Sequence, residues 1–243
     1  TPWWGPGQPP CELWPGVTIN IPSVWQRARK RWESPDGRYY FDATKADQVC
    51  AFFPTLLTHH IGEFAGLPFT LMDYQAKLVV RPLFGWKRSS DGLRRFRKVF
   101  AFLPKGAGKS PLGSGLGIYC SICDDEAGAE NYCVAADREQ ARVVHTNAKI
   151  MVEASDDLLE GCEVFKDSIY WDAVNSKFQV LSSDASTKHG FRPHLVIFDE
   201  IHAQRNRDLY EALKKSMVKR RQPIMLILTH AGKDDEGIGY EEY

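Results

Sequence analysis

The chain has 243 residues, 43% hydrophobic, 26% charged and 12% aromatic, and its 31 basic residues balance its 31 acidic ones. This length and balance exclude a disulfide-stapled miniprotein, a collagenous or coiled-coil chain and a wholly disordered one, and they permit one or two domains around a real core. Apolar runs such as Ile224 to Leu228 fall far short of the ~20 residues that a bilayer-spanning helix needs, so no membrane partner is expected.

In chain order, residues 1 to 22 are rich in Pro, Gly and Trp, the composition of an extended arm that docks rings on another surface. The opening TPWWGPGQPP has neither a basic n-region nor an apolar h-region and does not read as a secretory signal. Helices are predicted around Ser23 to Trp32 and Thr44 to Leu57, which makes residues 1–66 an arm and a small N-terminal helical subdomain.

Beyond residue 67 the pattern alternates between β and α. RKVFAFL reads as a strand, Lys109 to Cys123 as a helix, NYCVAA as a strand, and Arg138 to Ala154 as a helix with Ala141, Val144, Ala148 and Met151 on its apolar face. SIYW and FQVLSS follow as strands, HLVIFD as a buried strand, Arg207 to Val218 as a helix and PIMLILT as a second buried strand. Such alternation predicts an α/β fold with a mostly parallel, helix-covered sheet over residues 67–232. The polar closing stretch 233–243 reads as a linker.

Six scattered cysteines in a chain of this size predict reduced thiols in a cytosolic compartment. Cys120 and Cys123 have zinc-like spacing but fall inside a predicted helix without a second pair, so they read as buried small apolar residues. His59, His60, His189, His194 and His202 show no complete metal spacing. The zero net charge conceals basic clusters at Arg27 to Arg31, Lys87 to Lys98 and Lys214 to Arg221, which suit either a phosphate backbone or a solvated face.

The most informative stretch is FAFLPKGAGKSPL, which sets Pro104, Lys105, Gly106, Ala107, Gly108, Lys109 and Ser110 between a predicted strand and a predicted helix. Glycines there let backbone N–H groups close around phosphate oxygens, and the helix start adds a favourable dipole. Lys109 is placed to reach the β- and γ-phosphates and the Ser110 hydroxyl to bind Mg2+. The usual pattern places an earlier Gly where this chain has Leu103.

Downstream, HLVIFDEIH ends a buried strand on two carboxylates, where ligands of open α/β sheets bind. Asp199 is expected to hold the Mg2+ hydration shell and Glu200 to orient and polarise the attacking water. Tyr74 and Gln75, upstream of the loop, offer a stacking ring and an amide for an adenine edge. Thr229, closing the next strand, is positioned to sense a γ-phosphate.

These pieces in this order (YQ at 74 to 75, FGW, DGLRRFRKV, LPKGAGKS, AADREQAR, LSSDASTKHGFRPHLVIFDEIHA and LTHAG) resemble the ATPase domain of the large terminase subunit of tailed bacteriophages, from about Leu67 to Gly232. The resemblance implies a P-loop NTPase of the ASCE type. Lys109 and Ser110 then belong to Walker A, Asp199 and Glu200 to Walker B, and Thr229 to the coupling motif. It implies a Mg2+-dependent ATP hydrolase that drives double-stranded DNA into procapsids in the host cytoplasm. The implied partners are a portal protein, a terminase small subunit and further copies of the chain in a ring.

Two positions depart from the family pattern. Lys105 stands where Arg is usual, keeping the charge but losing bidentate geometry. His189 stands where a trans-acting Arg finger is often found, which leaves Arg192, Lys188 and Arg142 as further candidates for that role. Because the chain stops just after LTHAG, no nuclease activity is expected of it. DEIH also resembles the DEAH box of helicases. A helicase-type translocase and a nonhydrolysing nucleotide-binding assembly module are the competing readings.

Overall fold

The structure, a computed structural model, describes residues 32–135, 138–181, 190–203, 207–230 and 238. Its elements are β1 (Trp32–Glu33), β2 (Tyr39–Phe41), α1 (Ala43–Leu56), a π-helical stretch Gln75–Val80 that runs into α2 (Arg81–Gly85), β3 (Trp86–Arg88), β4 (Lys98–Phe102), α3 (Lys109–Ile122), β5 (Glu130–Val134), α4 (Arg138–Glu153), α5 (Asp156–Leu159), β6 (Glu163–Val164), β7 (Ser168–Trp171), β8 (Ser176–Leu181), β9 (Pro193–Asp199), α6 (Arg207–Ser216) and β10 (Ile224–Thr229).

Seven strands form the central sheet in the order β4-β10-β9-β5-β8-β7-β6. The first five are mutually parallel, and β7 and β6 add an antiparallel margin. Every residue of β9 and of β10 is buried, because both faces of these central strands are covered and their sequences are accordingly continuous apolar runs. One strand, β10, lies between the loop-bearing β4 and the acidic β9. That inserted strand is the ASCE arrangement.

Amphipathic spacing places α4 on the sheet: Ala141, Val144, Ala148 and Met151 recur at helical intervals and are all buried. Helix α3 packs still more closely. An added Cβ at Gly115 would lie 2.3 Å from a Phe53 ring carbon, so the missing side chain is what lets α1 press its ring against the helix that follows the loop. Phe52 and Tyr119 meet edge to face 5.3 Å apart in the same contact. The buried faces of α1 and α3 thus share one core cluster.

The N-terminal part differs in detail from the helical expectation. Helix α1 forms as predicted, capped by Asp42, whose side chain accepts from the Lys45 N–H. However, β1 and β2 join β3 in a three-stranded antiparallel sheet that periodicity could not signal, since each strand has only two or three residues. The predicted helix at Ser23 to Trp32 lies outside the described residues except for Trp32, which belongs to β1. The arm and most of the closing stretch also lie outside them.

At the N-terminal edge of the parallel strands, three connections and the start of β9 are tied by one buried cluster. Arg94 donates from Nη1 to both Asp124 oxygens, at 2.7 and 2.8 Å, and from Nη2 to the Gln222 carbonyl. His194 Nε2 lies 2.7 Å from Asp124 Oδ2. Burial alone would raise the Asp124 pKa, but the guanidinium and the imidazole outweigh it and hold the carboxyl well below its usual range.

Candidate active site

The C-terminal ends of β4, β10 and β9 converge because the strands are in register: Thr229 pairs with Phe102, and Leu228 pairs with Asp199. Each chain leaves the sheet there carrying polar residues, as an open parallel sheet requires of a ligand site. The loop after β4 turns on Gly108, whose φ of +68° is left-handed and open to glycine without strain, and α3 begins at the next residue.

Tyr74 and Gln75 brace this loop. The Tyr74 hydroxyl donates to the Ala107 carbonyl, and Gln75 Nε2 donates to the Gly108 carbonyl at 3.1 Å. Gln75 Oε1 accepts from the Met72 N–H at 2.9 Å. The Gln75 side chain is completely buried, so in this conformation it holds the loop and cannot touch an adenine edge, which departs from the role expected for it. Its place at the head of a π-helical stretch fits a segment shaped by a local demand rather than by regular packing.

Lys109 is buried, and its Nζ donates to the Leu103 and Pro104 carbonyls at 3.1 and 3.2 Å. The same ammonium lies 3.7 Å from Glu200 Oε1. Ser110 donates to Asp199 Oδ2 at 3.1 Å, while Asp199 Oδ1 is buried without a hydrogen-bond partner among the described residues. Burial pushes the Asp199 carboxyl up to about 6, which the Ser110 hydroxyl only partly offsets. A hydroxyl beside a carboxylate with an unmet buried oxygen is the donor chemistry of a small hard cation, so these residues fit Mg2+.

Glu200 is the most constrained residue of the site. Its φ of +52° puts a non-glycine residue in the left-handed region, at roughly 1–3 kcal/mol of strain. Its N–H is anchored to the Leu228 carbonyl. Its carboxylate is hydrogen-bonded by one histidine and flanked by a second, neither among the expected site residues: His230 Nδ1 lies 2.6 Å from Oε2, and His202 Nδ1 lies 3.3 Å from the same oxygen. The two rings pack edge to face 4.4 Å apart. His202 Nδ1 also reaches Thr229 Oγ1 at 3.0 Å, and that hydroxyl points its own proton to the His230 carbonyl.

Burial lowers the His202 pKa, and the charges of His230, Lys105 and Lys109 add to the effect against Glu200. Donor atoms of Glu200, His202 and His230 lie within 4.8 Å of one another, a spacing a metal ion can use. The adjacent Lys109 ammonium and the Lys105 charge oppose a second cation there.

Thus the structure brings together Lys109, Ser110, Asp199, Glu200 and Thr229, with exposed Lys105 and Gly106 and half-buried Ala107 on the loop and Pro104 supplying a carbonyl. It does not bring Arg192 to them. Arg192 precedes β9, and the eight residue steps from it to its own chain's Glu200, at about 3.3 Å each along the strand, put the two about 25 Å apart. Arg142 is held by Asp167, at 2.7 and 3.1 Å, and by Glu139. Lys188 and His189 lie outside the described residues.

A P-loop between a strand and a helix, one strand away from a carboxylate pair, defines the class as a P-loop NTPase. Within that class, the family model described as "Terminase large subunit, ATPase domain" matches residues 73–243, and the chain belongs to that family. The terminase large subunits of Lactococcus phages p2 and SK1 are each 28% identical over 147 residues, which cover 58% of this chain and 27% of theirs. The chain therefore spans about a quarter of the length of these relatives. The large terminase of bacteriophage HK97 superposes with a TM-score of 0.67 at 20% identity, over 80% of this chain and 39% of that one, and shares the fold.

Proposed function

We propose that this chain is the ATP-hydrolysing motor domain of a viral terminase large subunit, driving double-stranded DNA into procapsids. The observation that carries the reading is the convergence of Lys109, Ser110, Asp199 and Glu200 at the ends of adjacent parallel strands. Lys109 neutralises phosphate charge, drawn from its present carbonyl partners to a stronger one. Ser110 and Asp199 hold Mg2+, which when bound supplies charge neutralisation at the phosphates. Glu200 orients and polarises the attacking water, and Thr229 reads the occupancy of the site at the end of β10. The loop backbone from Pro104 to Gly108 cradles the phosphates, Lys105 adds charge, and Tyr74 and Gln75 keep the loop in shape.

The portal protein, a small subunit and further copies of this chain in a ring are the partners that this role needs. Arg192, exposed at the far edge, serves a neighbouring chain's site in trans. Turnover then rises with ring assembly, since an arginine finger contributes roughly 10³ to 10⁵ in related enzymes.

The test is phosphate release from ATP with Mg2+, with and without portal-bearing procapsids. Turnover that procapsids stimulate, and that Arg192→Ala subunits regain when mixed with Glu200→Gln subunits, is the expected result. Nucleotide binding without any release would instead mark an assembly module. No recovery on mixing would remove Arg192 from the site.

A further inference from the structure

We infer that His230, with His202 beside it, is the positioning residue of Glu200, fixing which carboxylate oxygen faces the phosphates. The inference rests on the proposed role of Glu200 and adds to it a residue to which no motif expectation gave a role.

The geometry divides the two oxygens of one carboxylate. Oε2 is taken by imidazole, at 2.6 Å from His230 Nδ1 and 3.3 Å from His202 Nδ1. Oε1 points the other way, 3.7 Å from the Lys109 ammonium. An ionised carboxylate has only acceptors, so His230 Nδ1–H must be the donor. A donor that short to an anion is a strong, directional contact. With Oε2 held, the side chain cannot rotate without breaking it, and Oε1 stays directed at the lysine that takes the phosphates.

His202 braces the arrangement rather than duplicating it. Thr229 Oγ1 gives its proton to the His230 carbonyl, so its lone pairs accept from His202 Nδ1–H. That bond pins the ring edge to face against His230. The left-handed backbone at Glu200 strengthens the case, because a residue strained at its main chain and clamped at its side chain has one orientation over-determined. Adjacent strands in register explain why the partners come from β10: Leu228 pairs with Asp199, so the residues just beyond each strand meet.

The experiment measures kcat, KM and nucleotide affinity for the full chain with Glu200→Gln, His230→Ala, His230→Asn and the double variant Glu200→Gln/His230→Ala. Losing one hydrogen bond to a charged group predicts that His230→Ala lowers kcat about 10- to 100-fold, with KM and affinity unmoved. His230→Asn, whose amide N–H can reach the same oxygen, should recover much of that loss. In the Glu200→Gln background, His230→Ala should add nothing, since the group it positions is gone.

Wild-type kcat in a folded His230→Ala protein, or an undiminished further loss in the double variant, overturns the positioning role. If His230→Ala does not fold, His230→Asn compared with His230→Leu decides: near wild-type kcat for Asn beside a 10- to 100-fold loss for Leu, which cannot donate, supports the inference, and equal kcat for the two contradicts it. Full turnover by Glu200→Gln would defeat the underlying role of Glu200, an outcome distinct from either.

Discussion

The two edges of the parallel sheet, about 20 Å apart, carry the same kinds of residue in opposite conditions. At the N-terminal edge, Arg94, Asp124 and His194 are fully buried, and the Asp124 carboxylate is satisfied on both oxygens. At the C-terminal edge, Lys109 sits on its own loop's carbonyls, Asp199 keeps one oxygen unmet, and Glu200 is strained and partly exposed. The carboxylate of the first set is fully met when the chain folds, although Arg94 Nε and His194 Nδ1 have no hydrogen-bond partner among the described residues. The second is left to be completed by a ligand. The carboxylates of one fold thus differ in how completely the protein itself satisfies them: both oxygens of Asp124 are met, and one oxygen of Asp199 is not.

This contrast makes its largest demand on stability at the N-terminal edge. Arg94→Ala should destabilise the fold by about 3–5 kcal/mol, because it leaves Asp124 buried without its countercharge. Denaturant unfolding measures it, and a change near zero would mean that the pair is not what ties that edge.

His145 sharpens the comparison from a second direction. Like His194 it is completely buried, but neither ring nitrogen has a partner among the described residues. Burial, helped by Lys149 and Arg142 against Asp167, lowers its pKa from 6.5 to about 4. The folded ring therefore stays neutral where the unfolded one takes a proton, so stability falls as pH drops from 6.5 toward 4, by on the order of 3 kcal/mol. His145→Leu should flatten that limb of the stability-against-pH curve and leave the neutral limb in place.

The smallest effect concerns α3, which joins the two edges. Gly115→Ala places a methyl 2.3 Å from the Phe53 ring. Overpacking of about 1–3 kcal/mol exceeds the roughly 1 kcal/mol that alanine gains over glycine in a helix, so a net loss of Tm is expected. A rise in Tm would show that α1 yields easily.

Much of this division was legible in the sequence. Strands β4, β5, β7, β8, β9 and β10, helices α3 and α4 and the loop residues follow from apolar runs, helical spacing and a glycine-lysine-serine turn, all local signals, whereas the two-residue β6 gave none. The ionic cluster was not legible, since Arg94 and Asp124 come from two connections and His194 from the start of β9, far apart in the chain, and only the parallel sheet unites them. His230 was missed for the same reason. Its signal was the register of two strands, which places the residue after Thr229 beside Glu200, and sequence spacing carries no register. The bracing contact of Gln75 was not legible either, because a Tyr-Gln pair upstream of a loop looks the same whether the amide faces a base or the loop's own carbonyl.

The division of labour is tested most directly by measuring ATP turnover and nucleotide affinity together in the wild-type chain and in Glu200→Gln. Removing a water-polarising carboxylate should lower turnover by about 10² to 10⁴ while nucleotide and Mg2+ still bind, since Lys109, Ser110 and Asp199 remain. Wild-type turnover by Glu200→Gln would contradict the account, because the strained and clamped carboxylate would then be doing nothing that the chemistry requires.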